Sequence, residues 1–230
     1  MTENRPYYKA YDDRYQQTHA QGLRWISDQP SSIVSQIMEK YRICPNHAIL
    51  EIGCGEGRDA AHLLRKGYPI LATDVSQAAI DFCRAENPGY ADHFALLDCI
   101  TDSLNQRFHF IYAISVVHML VEDPHREAFY RFLRNHLTDK GIALIGSMGD
   151  GIQERSSDIT NAFTLQDRTH EPTGKVLKLA STSYRAVSFD TFRQEIRQAG
   201  LQILEEGITP MPPDYYQVMY AVVKKTSGDF

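Results

Sequence analysis

Residues Ile49 to Ala60 read ILEIGCGEGRDA, and the organisation of the whole chain follows from this stretch. Ile49, Leu50 and Ile52 predict a short buried strand. Gly53, Gly55 and Gly57 come next, and a helix is expected from about Arg58. Closely spaced glycines at a strand–helix junction let the backbone turn sharply and let a ligand approach where a Cβ would clash. The helix start behind them offers free N–H groups and a partial positive charge, suited to an anionic ligand group.

A dinucleotide-binding turn places its third glycine three residues after the second, as G-x-G-x-x-G. Here the spacing is G-x-G-x-G, and Arg58 stands where that third glycine would be. Glu51 lies two residues before Gly53, where a carboxylate opposes a pyrophosphate and favours a cation. An ordinary tight turn and a nicotinamide or flavin site remain as alternatives to a mixed-charge ligand. The second anchor is Asp74, at the end of the apolar run Ile70 to Thr73 and about 20 residues past the first glycine. A carboxylate there can accept hydrogen bonds from both hydroxyls of a ribose. Ser76 is available to cap the following helix, so Asp74 is not needed for that task.

Outward from these anchors, strands and helices alternate. A helix opens at Pro30-Ser31-Ser32 with an apolar stripe of Ile33, Val34, Ile37, Met38 and Tyr41. A second runs from Gln77 to Glu86. His93 to Leu97 predicts the third strand, ending at Asp98, and Phe108 to Val117 the fourth. Asp123-Pro124 starts a helix that Gly141 closes, and Ile142 to Met148 predicts the fifth strand. Ser188 caps the last helix, and Leu201 to Ile208 and Val218 to Val223 predict two closing strands, joined by a loop stiffened by Pro210, Pro212 and Pro213. Alternation predicts a parallel sheet with helices on both faces, and the closing pair predicts one antiparallel strand.

Two segments stand outside this pattern. Residues 1–30 are rich in aromatics, with Tyr8, Tyr11 and Tyr15 at helical spacing; they predict either a helix packed on the domain or a lid over a site. Residues 149–187 are long for a connection and mix aromatics with both charge signs. A substrate-recognition insertion is expected there, with one short helix near Phe163 and Leu165.

The 230 residues are expected to form one domain with a full core. Hydrophobic residues make up 43% and charged residues 23%, as in a soluble globular protein. The 24 Lys and Arg against 29 Asp and Glu leave a net charge of −5, the opposite of a basic surface, so no nucleic-acid partner is expected. No apolar run is long enough for a membrane span, and the opening MTENRPYYKAYDD has no apolar core of a signal peptide. Cys44, Cys54, Cys83 and Cys99 are isolated, with no C-x-x-C, which points to reduced thiols in a cytoplasm and no zinc site.

The string Glu51 to Arg58 followed by Asp74 resembles the cofactor motifs of the class I S-adenosylmethionine (SAM) dependent methyltransferases, and the resemblance extends over roughly residues 30–225. It implies α/β architecture: a seven-stranded Rossmann-like doubly wound sheet, mostly parallel, with one antiparallel strand near the C-terminus. It implies methyl transfer from SAM to a small-molecule acceptor by in-line displacement, with S-adenosylhomocysteine (SAH) as product. GCGEGRDA followed by TDVSQAAI is similar to the branch of tellurite-resistance-type and thiopurine-type enzymes. Cofactor contacts are implied for Glu51, Gly53, Cys54, Gly55, Gly57, Arg58, Asp74, Val75, Asp98, Cys99 and Ser115, with Asp98 on the adenine amino group. The fourth-strand edge lies beneath the methyl group in this fold, which makes His118 the best-placed general base. No metal is expected, because the acidic pattern of the magnesium-dependent relatives is missing after the fourth strand. A nicotinamide-dependent oxidoreductase and a non-catalytic SAM-binding regulator are the alternatives.

Overall fold

A computed structural model describes residues 5–25, 27, 29–170, 173–211 and 215–226. A 3-10 turn over Tyr7–Lys9 leads into helix α1 (Ala10–His19). Then follow α2 (Ser32–Lys40), β1 (Ile49–Ile52), α3 (Arg58–Arg65), β2 (Ile70–Asp74), α4 (Gln77–Glu86), β3 (Phe94–Leu96), β4 (Phe108–Ile114), α5 (Asp123–His136) and β5 (Leu137–Met148). The C-terminal third holds β6 (Arg155–Ser156), β7 (Leu165–Thr169), β8 (Val176–Ala180), β9 (Arg185–Ala186), α6 (Phe189–Gln198), β10 (Leu201–Met211) and β11 (Tyr215–Lys225).

Seven strands form one sheet in the order β10-β11-β5-β4-β1-β2-β3. Strands β1 to β5 pair in parallel, and β11 runs antiparallel to both its neighbours, β5 and β10. This is the doubly wound sheet with one antiparallel strand that the alternation of elements predicts. Successive residues of a strand face opposite sides, and the core divides accordingly. Leu50, Ile111 and Ile145 face α5 and α6 through Phe129, Leu133, Phe192 and Ile196. Ile49, Phe110 and Leu144 face α2, α3 and α4 through Ile37, Leu63 and Ile80. The strand order reverses between β1 and β4, and in such sheets the crevice beyond the carboxyl ends at that reversal holds the ligand.

Several boundaries differ from expectation. β4 ends at Ile114, not Val117: Ser115 adopts φ +61°, which breaks the ladder, and Val117–Met119 forms a 3-10 turn. Gly141 does not close a helix. α5 stops at His136 and β5 already begins at Leu137. Gly141 instead lies in a bulge between the Phe108–Leu137 and Phe110–Ile142 pairs, where a Cβ would meet the Phe108 carbonyl at 2.8 Å. Glu122 occupies the cap position before α5, with Asp123 and Pro124 in its first turn. The third strand is shorter than expected and starts at Phe94. The long connection carries no α-helix at Phe163; it forms the antiparallel hairpin β7–β8 and the short pair β6–β9. β10 and β11 are both longer than the sequence suggests: Pro210 lies within β10 and not in the loop, while Pro212 and Pro213 fall outside the described residues. No helix among the described residues is long and apolar enough to cross a membrane.

Candidate active site

All four residues of β1 are buried, including Glu51 at 4% exposure. Cys54 N–H continues the strand pairing by donating to the Thr73 carbonyl at 2.9 Å. The chain then swings through Gly53 and Gly55, both in the left-handed region. A Cβ on Gly53 would lie 2.4 Å from Val116 Cγ2, so the close approach of the turn to the end of β4 requires glycine. Asp74 fixes the turn from the next strand: its Oδ2 accepts from Gly55 N–H at 2.8 Å and its Oδ1 from Ser76 N–H at 2.9 Å. Ser76 Oγ accepts from Ala79 N–H and caps α4, as its position suggests.

Two clefts meet over this turn. The first is mainly apolar and lies over β2, β3 and the loop beyond Leu96. Gly53, Asp74, Val75, Asp98, Cys99 and Ser115 line it together with Leu97, Ile100, Val116 and Leu120, and Tyr8, Tyr11 and Tyr15 cover it. The second is a polar chamber. Glu51, Cys54, Gly55, Arg58, Asp59 and His118 line it with Arg14, Trp25, Met148, Arg168 and the run Ser181 to Tyr184. Gly53, Ser115, Met119, Tyr11 and Tyr15 belong to both. All the residues singled out in the sequence thus converge on one crevice except Gly57. Gly57 precedes α3 at the back of the turn, against Cys83 and Phe94.

Burial sets the electrostatics. The Glu51 carboxyl is pushed well above the usual carboxylate range, mainly by burial and then by the neighbouring Asp59. Its Oε2 has no hydrogen-bond partner. Tyr112, one strand over, is likewise pushed up by burial and by Glu51. Burial raises Asp74 to about 6, against the opposing effect of the Ser76 and Gly55 amides. Burial lowers His118 to about 3, helped by the charge of Arg126, so the imidazole is neutral through the physiological range. Its Nδ1 accepts a long bond from Met148 N–H at 3.4 Å. Asp98 lines the apolar cleft, with Oδ2 accepting from Tyr8 Oη at 3.1 Å and Lys9 Nζ at 3.3 Å.

Residues 50–143 match the model of a methyltransferase domain. The chain thus carries a methyltransferase domain, and its fold is that of SAM-dependent methyltransferases. A curated relative, methyltransferase GfsG of Streptomyces halstedii, is 26% identical over 187 residues, 78% of this chain. The match spans 62% of that relative's length. Among solved structures, 1,6-didemethyltoxoflavin-N1-methyltransferase of Burkholderia thailandensis, with 1,6-didemethyltoxoflavin and SAH bound, aligns at TM-score 0.70 and 16% identity. The alignment covers 99% of this chain and 93% of that one. A TehB-like SAM-dependent methyltransferase of Corynebacterium glutamicum aligns at TM-score 0.58 and 18% identity over 97% of this chain and 100% of that one.

Some residues of the site carried no signal in the sequence. Glu56, inside the glycine turn, is 2% exposed and accepts from Trp25 N–H at 2.7 Å, with His19 Nε2 at 2.9 Å. Asp59 takes Ser31 N–H at 2.6 Å and Ser31 Oγ at 2.7 Å, so Ser31 joins α2 to α3 through its side chain and does not cap its own helix with it. Arg14 reaches the chamber from α1, and its carbonyl partners Ala180 and Ser181 lie 166 and 167 residues along the chain, beyond the reach of any local pattern.

Proposed function

We propose that this methyltransferase methylates a small-molecule acceptor held in the polar chamber, with the cofactor in the apolar cleft and its reactive end where the two clefts meet. The observation that carries the reading is the buried, unpartnered Oε2 of Glu51 on the chamber wall beside the open glycine turn. An unpartnered buried carboxyl is costly unless a cation completes it, and SAM carries an ammonium group. The residues present fit the rest of the cofactor as well. Asp74 keeps acceptor capacity on both oxygens for ribose hydroxyls. Asp98, with Leu97, Cys99 and Ile100 around it, suits a flat, apolar base with an exocyclic amine. Tyr11 and Tyr15 bring aromatic faces to the junction of the clefts, where a sulfonium charge is favoured.

When bound, the cofactor supplies a methyl group on positively charged sulfur, which leaves as SAH once the acceptor's lone pair has taken the methyl. The chain's own contribution is alignment and exclusion of water, which together can account for much of such a rate. Tyr8, Tyr11 and Tyr15 close one side of the crevice, and the run Ser181 to Tyr184 closes the other. His118 offers a neutral imidazole on the chamber wall. With a conjugate acid near 3 it is a weak base, better suited to orienting an acceptor that already presents a lone pair, such as an amine, than to deprotonating a hydroxyl. The four cysteines are unpaired, which suits the reducing cytoplasm we take as its location.

The test is calorimetric titration with SAH and, separately, with NADH. SAH binding in the micromolar range is expected, weakened by about 1–3 kcal/mol in Asp74→Ala through loss of charged-acceptor hydrogen bonds. Heat with NADH and none with SAH would transfer the site to a nicotinamide-dependent oxidoreductase.

A further inference from the structure

Helix α1 is polar along most of its length and is bonded on two sides. Toward the cofactor half, Asp12 Oδ1 accepts from Ser76 Oγ at 2.7 Å and from Ala78 N–H at 3.1 Å, at the start of α4. Toward the insertion, Arg14 is 7% exposed and donates through Nε and Nη2 to the Ala180 carbonyl, at 3.2 and 2.9 Å, and through Nη2 to the Ser181 carbonyl at 2.6 Å. Gln17 Oε1 accepts from Ala180 N–H at 2.7 Å, and Tyr11 Oη donates to the Ser183 carbonyl at 3.0 Å. These bonds end at β8 and at the loop behind it, which walls the acceptor chamber.

We infer that α1 and the β7–β8 hairpin act as one closing unit, pinned by Arg14, so that filling the cofactor cleft orders the acceptor chamber. A guanidinium is a planar fork, and here it spans two consecutive carbonyls of a strand end, which fixes orientation as well as distance. Hydrogen bonds to a charged group are the strong ones, and leaving that group buried without them is costly. Five hydrogen bonds thus tie α1 to the end of β8 and the loop behind it, so α1 carries the hairpin with it. Tyr11 and Tyr15 belong to both clefts, so a ligand that holds them against the first also sets one wall of the second. Arg14 is thus a positioning residue: it acts on the acceptor through the hairpin. The inference rests on the cofactor reading given above, and it implies that cofactor precedes acceptor.

Hydrogen–deuterium exchange with SAH as the only ligand separates the two. In the wild type, SAH is expected to slow exchange of α1 amides and also of residues 176–180, roughly five- to 150-fold, the range of a coupling free energy. In Arg14→Met and, as a milder variant, Gln17→Ala, SAH is expected still to protect α1 while the response of residues 176–180 shrinks. Arg14→Lys, which keeps the charge and loses the fork, is expected to fall between wild type and Arg14→Met. Wild-type protection confined to α1, or hairpin protection that survives in both Arg14→Met and Gln17→Ala, would overturn the coupling. Absence of any SAH binding by the wild type would overturn the cofactor reading itself, and calorimetry on the same sample distinguishes that case.

Discussion

Asp74 has two duties that compete for its charge. It ties the glycine turn through Gly55 and Ser76, and in the proposed complex it accepts ribose hydroxyls. Burial raises it to about 6, above the ordinary value near 4. A raised carboxyl binds its proton more tightly in the folded state. Its contribution to stability is therefore greatest below the unfolded value and declines as pH rises through about 6. SAH affinity should run the other way, because hydroxyl donors favour the carboxylate. Titrations between pH 5 and 7 are expected to tighten up to about ten-fold, and Asp74→Asn should remove the step near 6. Gly53 offers a second test at this scale. In Gly53→Ala the backbone must hold φ +72° with a Cβ placed 2.4 Å from Val116 Cγ2. The expected cost is about 1–3 kcal/mol of unfolding free energy. Val116→Ala removes the methyl group and should restore part of that loss in a double-mutant cycle, leaving the dihedral share.

At the scale of elements, the helices after β1 and β2 were legible because their signals are local. Arg58, Gln77 and Glu86 stand at the helix ends that the structure shows, and Ser76 and Ser188 cap as their positions suggest. Long-range causes were not legible. Ser115 carries no mark of a left-handed backbone, and Gly141 resembles a helix stop until β4 lies beside it. The hairpin did leave a trace: in Val176-Leu177-Lys178-Leu179, exposed and buried residues alternate with the period of a strand, and Thr173-Gly174 precedes them as a turn. Asp12, between the aromatic positions Tyr11 and Tyr15, caps α4 from another helix through Ala78 N–H, a long-range contact with no local mark. Asp12→Ala should therefore behave like the loss of a helix cap although it lies outside α4. About 1 kcal/mol is expected, a fall in melting temperature of about 2–4 °C for a chain of this size, and Asp12→Asn should retain much of it.

At the scale of the whole molecule, alternation predicts two covered faces and a single antiparallel strand, but strand order comes only from packing. That order places β1 beside β4 and opens the crevice between Gly53 and Ser115. A buried charge pair on the α5–α6 face of the sheet holds the turn that follows β4 at the crevice edge. Arg126, 1% exposed, donates to both carboxylate oxygens of Glu195 at 2.7 Å, linking α5 to α6. The same guanidinium donates through Nη1 to the carbonyls of Val117 at 2.7 Å and Leu120 at 3.1 Å, which bracket His118. Removing only the acidic partner leaves a buried guanidinium without its counter-charge, a defect that costs more than the net worth of the pair. Chemical denaturation of Glu195→Gln should show a loss of about 3 kcal/mol with an unchanged slope. The double variant Arg126→Met/Glu195→Met should recover much of that stability, because apolar residues of similar volume dispense with the desolvation of both charges. It would also release the Val117 and Leu120 carbonyls. Stability should therefore return in the double variant without full return of methyl transfer, which separates the pair's contribution to the fold from its hold on the turn that carries His118. A double variant as active as wild type would show that the turn keeps its shape without Arg126.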